Sequence, residues 1–157
     1  MFKKIVVPLD GSEMAMKILP QVEELAKCLQ SELVLLHVCY IPPVTEAAVM
    51  PSEVQKEAES KELRECSVFL GEVAKDLQGK GLSVKTECVQ GVPAREIIAY
   101  AETRKMDLIA MATHGKGEVA WILGSTAEKV VTHATVPVLL FRVMEIKPPL
   151  FKDIGMP

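Results

Sequence analysis

Aromatic side chains are scarce in this chain: one Trp, two Tyr and four Phe among 157 residues. A surface that reads single-stranded nucleic acid by stacking bases on aromatic rings needs more than this. Surplus positive charge is also missing. Lys and Arg total 18 against 21 Asp and Glu, a formal net charge of −3, and no basic stripe stands out. That excludes a partner held mainly through the phosphate backbone of DNA or RNA. No apolar run reaches the roughly 18 residues that a membrane-spanning helix needs. Lys3 and Lys4 precede an apolar run that stops at Pro8, too short for the core of a signal peptide. The expectation is a cytoplasmic protein with no nucleic acid and no membrane among its partners.

Paired cysteines are lacking too. Cys28, Cys39, Cys66 and Cys88 form no C-x-x-C motif, and each sits among apolar neighbours. The expectation is four ordinary core or half-buried thiols in a reducing compartment. No metal site is expected.

What the chain does have is aliphatic bulk. Apolar residues make up 49%, enough to build one core from Val, Ile, Leu, Ala and Met. Five short stretches recur: Ile5–Val7, Leu33–Val38, Leu108–Ala112 and Val136–Phe141 are near-continuous apolar runs, while Leu82–Val89 alternates more, with Leu82, Val84, Thr86 and Cys88. Such runs suit parallel strands buried on both faces. Helical patterns lie between them. Ser12 is placed to cap a helix reaching about Leu29, with Ile18, Val22, Leu25 and Leu29 inward. The longest helix runs from Ser52 to about Lys80, with an i,i+4 pair between Glu57 and Lys61. Pro93 opens a third, carrying Ile97, Ile98 and Ala101, and Gly124-Ser125-Thr126 opens a fourth, with Ala127, Val130 and Val131 inward. Tyr40 to Pro51 is expected to be a loop, and residues 143–157 an extended tail beyond a single domain at 1–142. The alternation gives an α/β fold with a doubly wound open sheet of five parallel strands flanked by helices.

In such a sheet, ligands bind beyond the carboxyl ends of the strands at the switch point. Three segments qualify: Pro8-Leu9-Asp10-Gly11-Ser12, Val38-Cys39-Tyr40 and Ala112 to Gly117. The last leads through glycines to a helix start at Gly124-Ser125-Thr126. Glycines let backbone N–H groups approach an anion, and a helix N-terminus adds roughly half a positive charge. Lys116 adds a cation, so this segment reads as a phosphate cradle or as a plain surface turn into a helix. No G-x-x-x-x-G-K-[ST] loop and no G-x-S-x-G elbow occurs. Gly115 to Ala120 formally fits G-x-G-x-x-A, but it follows the fourth strand and no acidic residue stands at the next strand end. That argues against a nicotinamide site.

Taken together, Ile5-Val6-Val7-Pro8-Leu9-Asp10-Gly11-Ser12, Leu35-Leu36-His37-Val38, Thr113-His114-Gly115-Lys116, Gly124 to Val130 and Val136 to Leu140 resemble the universal stress protein family. The resemblance spans residues 1 to about 142. It implies a sheet of order 3-2-1-4-5, a fold of the adenine nucleotide alpha-hydrolase type, and a homodimer. It also implies ATP or AMP as ligand, with Mg²⁺. Pro8, Asp10 and Val38, with Leu9 beside them, would line the base and ribose pocket. Gly115, Gly124 and Ser125, with Lys116 and Thr126, would meet the phosphates. The family pattern G-x2-G-x9-G-[ST] is departed from twice. Ala112 stands at the first glycine, and Gly115 and Gly124 enclose eight residues rather than nine.

Single residues carry alternatives. Asp10 is a contact to ribose, base or metal, or a cap for the helix that follows; its place at the switch point favours the first. His37, inside an apolar run, reads as a hydrogen-bonded core residue. His114 borders the glycine loop within reach of a phosphate, with no carboxylate partner in sequence to make it a general base. Val136 to Phe141 is expected at the sheet edge, where pairing with a second copy would cover it. The resulting reading is a nucleotide-binding regulatory protein with no assigned catalytic residue. The alternative is a dimeric interaction module of the same fold that binds no nucleotide and acts through unknown protein partners. An enzyme using adenylate chemistry ranks last.

Overall fold

The five aliphatic runs become five strands: β1 (Lys4–Pro8), β2 (Glu32–Tyr40), β3 (Ser83–Gly91), β4 (Leu108–Ala112) and β5 (Val138–Phe141). These come from a computed structural model that describes residues 1–41, 53–115 and 122–143. Among the described residues, five helices accompany them: α1 (Glu13–Met16), α2 (Leu19–Leu29), α3 (Glu53–Gly79), α4 (Pro93–Thr103) and α5 (Ser125–His133). All strand pairings are parallel, in the order β3-β2-β1-β4-β5. The winding direction reverses between β1 and β4, which opens a crevice at their carboxyl ends.

Successive strand residues point to opposite faces, and both faces are covered. On β2, Leu33, Leu35 and Cys39 enter a core shared with α2 and α3. Val34 and Leu36 enter a second core shared with α4 and α5. Double burial is why β1, β2 and β4 read as nearly unbroken apolar runs, whereas the edge strand β3 is more exposed and alternates. At the opposite end of the sheet, the Asp107 carboxylate accepts the backbone N–H groups of Lys3 and Lys4, each at 2.8 Å, fixing β1 against β4.

Four local expectations are corrected. The helix expected from Ser12 to Leu29 is two helices. Ser12 does cap α1, its hydroxyl accepting the Ala15 N–H at 3.1 Å. Pro20 then has no N–H to donate and its ring would strike the carbonyl four residues back, so α1 ends at Met16 and Pro20 sits in the first turn of α2. Lys61 pairs forward with Glu65 at 3.7 Å rather than back with Glu57. Val131 points outward and is 46% exposed, while Ala127 and Val130 are buried. The last strand begins at Val138, not Val136, because Pro137 cannot donate to the ladder. It is an edge strand, as expected. The Tyr40 to Pro51 loop lies outside the described residues from position 42 onward, and so does the tail from 144.

The cysteine expectation also needs correction. Cys66 of α3 and Cys88 of β3 form a disulfide with Cα atoms 6.3 Å apart. Cys66 lies on the buried stripe that α3 turns toward the sheet, and a separation of 22 residues hides the pairing from motif inspection. Cys28 is an exposed free thiol, whereas Cys39 is buried as expected. Burial and the Glu62 carboxylate push the Cys39 thiol above its ordinary pKa, so it stays protonated at neutral pH. The disulfide closes a loop of 22 residues. Chain entropy alone then makes the oxidised form about 3 kcal/mol more stable than the reduced form. Urea unfolding with and without dithiothreitol measures the difference, and coincident midpoints would count against the bridge.

Candidate functional site

The site is built around two chain departures from the sheet. After β1, the Leu9 N–H donates to Leu36 O at 2.8 Å, keeping Leu9 beside β2. Asp10 then turns away. Its Oδ1 accepts the Ser12 N–H at 2.9 Å and the Ser12 hydroxyl at 2.5 Å. This is an Asx-type turn, eased by Gly11 at φ +82°. Asp10 thus supports the cap of α1 through Ser12, so its capping alternative is realised indirectly. The other oxygen, Oδ2, lies against Gly115: a Cβ added there would overlap it. A larger residue at position 115 would thus have to displace the Asp10 carboxylate, a reason for glycine that motif reading does not supply.

After β4, the chain passes Thr113, His114 and Gly115 and returns at Ile122. Two contacts close this excursion. The Gly124 N–H donates to Thr113 O at 2.9 Å, and His114 Nε2 lies 2.5 Å from Ile122 O. A carbonyl only accepts, so Nε2 carries the proton. In the neutral ring, Nδ1 then accepts from the Thr113 hydroxyl at 2.8 Å. His114 is 6% exposed with both ring nitrogens committed. Its imidazole ties Thr113 to Ile122, so a phosphate contact through either nitrogen would need one of these bonds released. Gly124, buried and extended at φ −56°, ψ 145°, precedes α5 and supplies no side-chain cap. The start of α5 therefore presents its N-terminal dipole beside Ser125 and Thr126.

A cavity of about 290 Å³ lies among the carboxyl ends of β1, β2 and β4 and the starts of α4 and α5. Pro8, Leu9, Asp10, Val38, Ala112, His114, Gly115, Ser125 and Thr126 all line it. Gly124 is a buried backbone link between Thr113 and α5. Lys116 lies outside the described residues, as does Trp121. Ala112 is 7% exposed, and its methyl group joins the buried cluster that holds Leu9 and Ala15. The methyl is thus partly absorbed by the core.

Sequence reasoning missed the apolar wall of this cavity: Leu36, Pro93, Ile97 and Met111. Pro93 and Ile97 follow the third strand, an edge strand that the switch-point rule does not select. Asp10 is the one charged side chain among the described lining residues. The cavity therefore combines an aliphatic wall, hydroxyls, one carboxylate and a helix N-terminus. Such a set suits a ligand with a flat apolar part and an anionic part. His37 behaves as expected, its Nδ1 donating to Leu9 O at 2.7 Å. Among the described residues, no helix is long and apolar enough to cross a membrane.

Residues 1–142 match the model of the universal stress protein family. The chain is 36% identical over 144 residues to the universal stress protein MJ0531 of Methanocaldococcus jannaschii, covering 90% of this chain and 83% of that one. Among solved structures, MJ0577 superposes with a TM-score of 0.79 at 33% identity, covering 93% of this chain and 99% of that one. UspA from Lactobacillus plantarum superposes with a TM-score of 0.78 at 26% identity, covering 90% and 98%. These likenesses bear out the sheet order read from the resemblance. A universal stress protein solved in complex with cAMP has a TM-score of 0.62 at 15% identity, covering 91% and 98%, and shares the fold.

Proposed function

The chain belongs to the universal stress protein family, and from that premise we propose that it is a regulatory protein of the stress response that binds an adenine nucleotide. The observation that carries this reading is the cavity at the switch point, where an aliphatic wall meets the Asp10 carboxylate and the start of α5. The base and ribose would lie against Pro8, Leu9, Asp10 and Val38. The phosphates of ATP or AMP would meet Gly115, Gly124, Ser125 and Thr126, with Lys116 as cation. Asp10 is the carboxylate that would help hold Mg²⁺ beside them. With both His114 nitrogens engaged in the loop, no general base is assigned, and the role is to signal by occupancy.

We place this role in the cytoplasm, where thiol reductants would make the Cys66–Cys88 bridge a transient one. The half-buried edge strand Val138–Phe141 would pair with a second copy to form a homodimer. A monomeric mass in sedimentation at micromolar protein would refute that pairing. The shortened glycine loop favours one rival, the interaction module without nucleotide.

Denaturing the purified protein should release an adenine nucleotide, and the emptied protein should give a heat of binding with ATP. No released nucleotide and no heat at millimolar ATP would leave the interaction module. An Asp10→Ala variant should bind ATP about tenfold more weakly, as loss of a hydrogen bond from a charged group implies. Binding equal to the parent's would remove Asp10 from the site.

A further inference from the structure

The face of the sheet that packs on α3 gathers four metal-type ligands that the nucleotide cavity does not use. His37 and Cys39 are two residues apart on β2 and so share a face. Cys88 stands beside His37 in the β2–β3 register. Cys66 comes from α3 and is bonded to Cys88. The ligand atoms of His37, Cys39 and Cys66 all lie within 4.8 Å of one another. None of these side chains lines the switch-point cavity.

We propose that reduction of the Cys66–Cys88 disulfide converts this cluster into a tetrahedral Zn²⁺ site, with Cys39, Cys66, Cys88 and His37 as its ligands. Zn–S bonds of about 2.3 Å at tetrahedral angles put sulfurs about 3.8 Å apart. The ligand atoms of His37, Cys39 and Cys66 need to close by at most about 1 Å, while the Cys66 and Cys88 sulfurs, bonded in the disulfide, must separate to that distance once the bond is cut. Three thiolates and one imidazole form a soft set that selects zinc over hard cations such as Mg²⁺. The His37 ring keeps one nitrogen for coordination. Its Nδ1–H donates to Leu9 O at 2.7 Å, which fixes the tautomer and leaves the lone pair on Nε2. That outer hydrogen bond to a backbone carbonyl is the usual support of a metal-bound histidine. Cys39 and Cys66 are 1% and 5% exposed, while His37 and Cys88 are half-buried. With four protein ligands the site leaves no open position, so the metal would be structural or regulatory rather than catalytic.

The chemistry balances with a dithiol as reductant. The dithiol supplies two electrons and two protons, becomes a cyclic disulfide, and leaves Cys66 and Cys88 as thiols. Zinc then displaces one proton to solvent from each of the three thiols and takes the neutral imidazole directly. A small-molecule disulfide reverses this: it takes the two electrons from the Cys66 and Cys88 thiolates and two protons from solvent, leaves as two thiols, and the S–S bond forms. The ion is released and Cys39 regains a proton from solvent. The disulfide and the zinc are mutually exclusive states of one cluster.

The full chain, reduced with dithiothreitol and desalted without air, is titrated with Co²⁺. One equivalent should bind, with tetrahedral visible bands and a thiolate-to-cobalt charge-transfer band, and Zn²⁺ should displace it. The disulfide form should give no such band. Cys39→Ser should weaken binding at least about a hundredfold, since even outer-shell changes cost tenfold or more. Cys28→Ser, at an exposed cysteine away from the cluster, should bind as the parent does. If Cys39→Ser fails to fold by circular dichroism, His37→Gln decides, with an expected loss of at least about tenfold. Absence of the charge-transfer band in the reduced parent overturns the proposal. So does an undiminished affinity in folded Cys39→Ser, or in His37→Gln where that variant decides.

Discussion

Replacing Leu35 with alanine is expected to remove about 2–5 kcal/mol of stability, the range for deleting a fully buried leucine side chain. Leu35 is 0% exposed and sits in β2 between Val7 of β1 and Thr86 of β3. Its side chain enters the core that α3 closes with Leu70, Val73 and Leu77. A strand held on both sides cannot collapse into the hole, so the cavity cost adds to the lost transfer energy. For a domain with about 5–15 kcal/mol in hand, that is a large share. Urea unfolding should show a midpoint lowered by about 1–2 M at unchanged slope. The contrasting substitution is Val131→Ala on the outer face of α5, expected to stay within about 0.5 kcal/mol. A Leu35→Ala loss that small would mean that α3 does not close on β2.

Leu35 is identifiable as core in the sequence because the physics there is simple. A strand covered on both faces must be apolar at every position, and Leu33 to Val38 very nearly is. The same reasoning delivers β1 and β4. It falters where one residue overrides a pattern. The period of Ile18, Val22, Leu25 and Leu29 runs through Pro20 without a break, yet the ring of Pro20 divides the helix. At Val131 the spacing fits the buried stripe, but α5 has only nine residues and covers a narrow strip. The Cys66–Cys88 bridge is illegible because its two halves lie on different elements, brought together by the register of α3 on β3.

The site divides in the same way. Its polar residues are legible because they follow strand ends and sit in recognisable short segments. Its apolar wall is not, because Leu36, Ile97 and Met111 look like any core residue until the cavity beside them is seen. The role of His114 escapes the sequence for a related reason. Its partner, the carbonyl of Ile122, is a backbone group that no side-chain pattern announces.

The apolar wall supplies the sharper test of nucleotide binding. Val38→Trp is expected to lower ATP affinity at least about a hundredfold, or about 2.8 kcal/mol. Val38 is half-buried near the end of β2 and lines the cavity of about 290 Å³. An indole there would take the space assigned to the base, while its exposed edge spares the fold much of the strain of overpacking. Val38→Ala removes bulk without closing the cavity and should change affinity only modestly. Steric exclusion and a lost contact are thereby separated, since only the larger side chain should abolish the heat of binding. An unfolding midpoint close to the parent's would show that the tryptophan is accommodated. Should folded Val38→Trp bind ATP as the parent does, the nucleotide cannot lie against β2. The Asp10→Ala result would then decide whether it lies on the β1 side of the cavity or outside it.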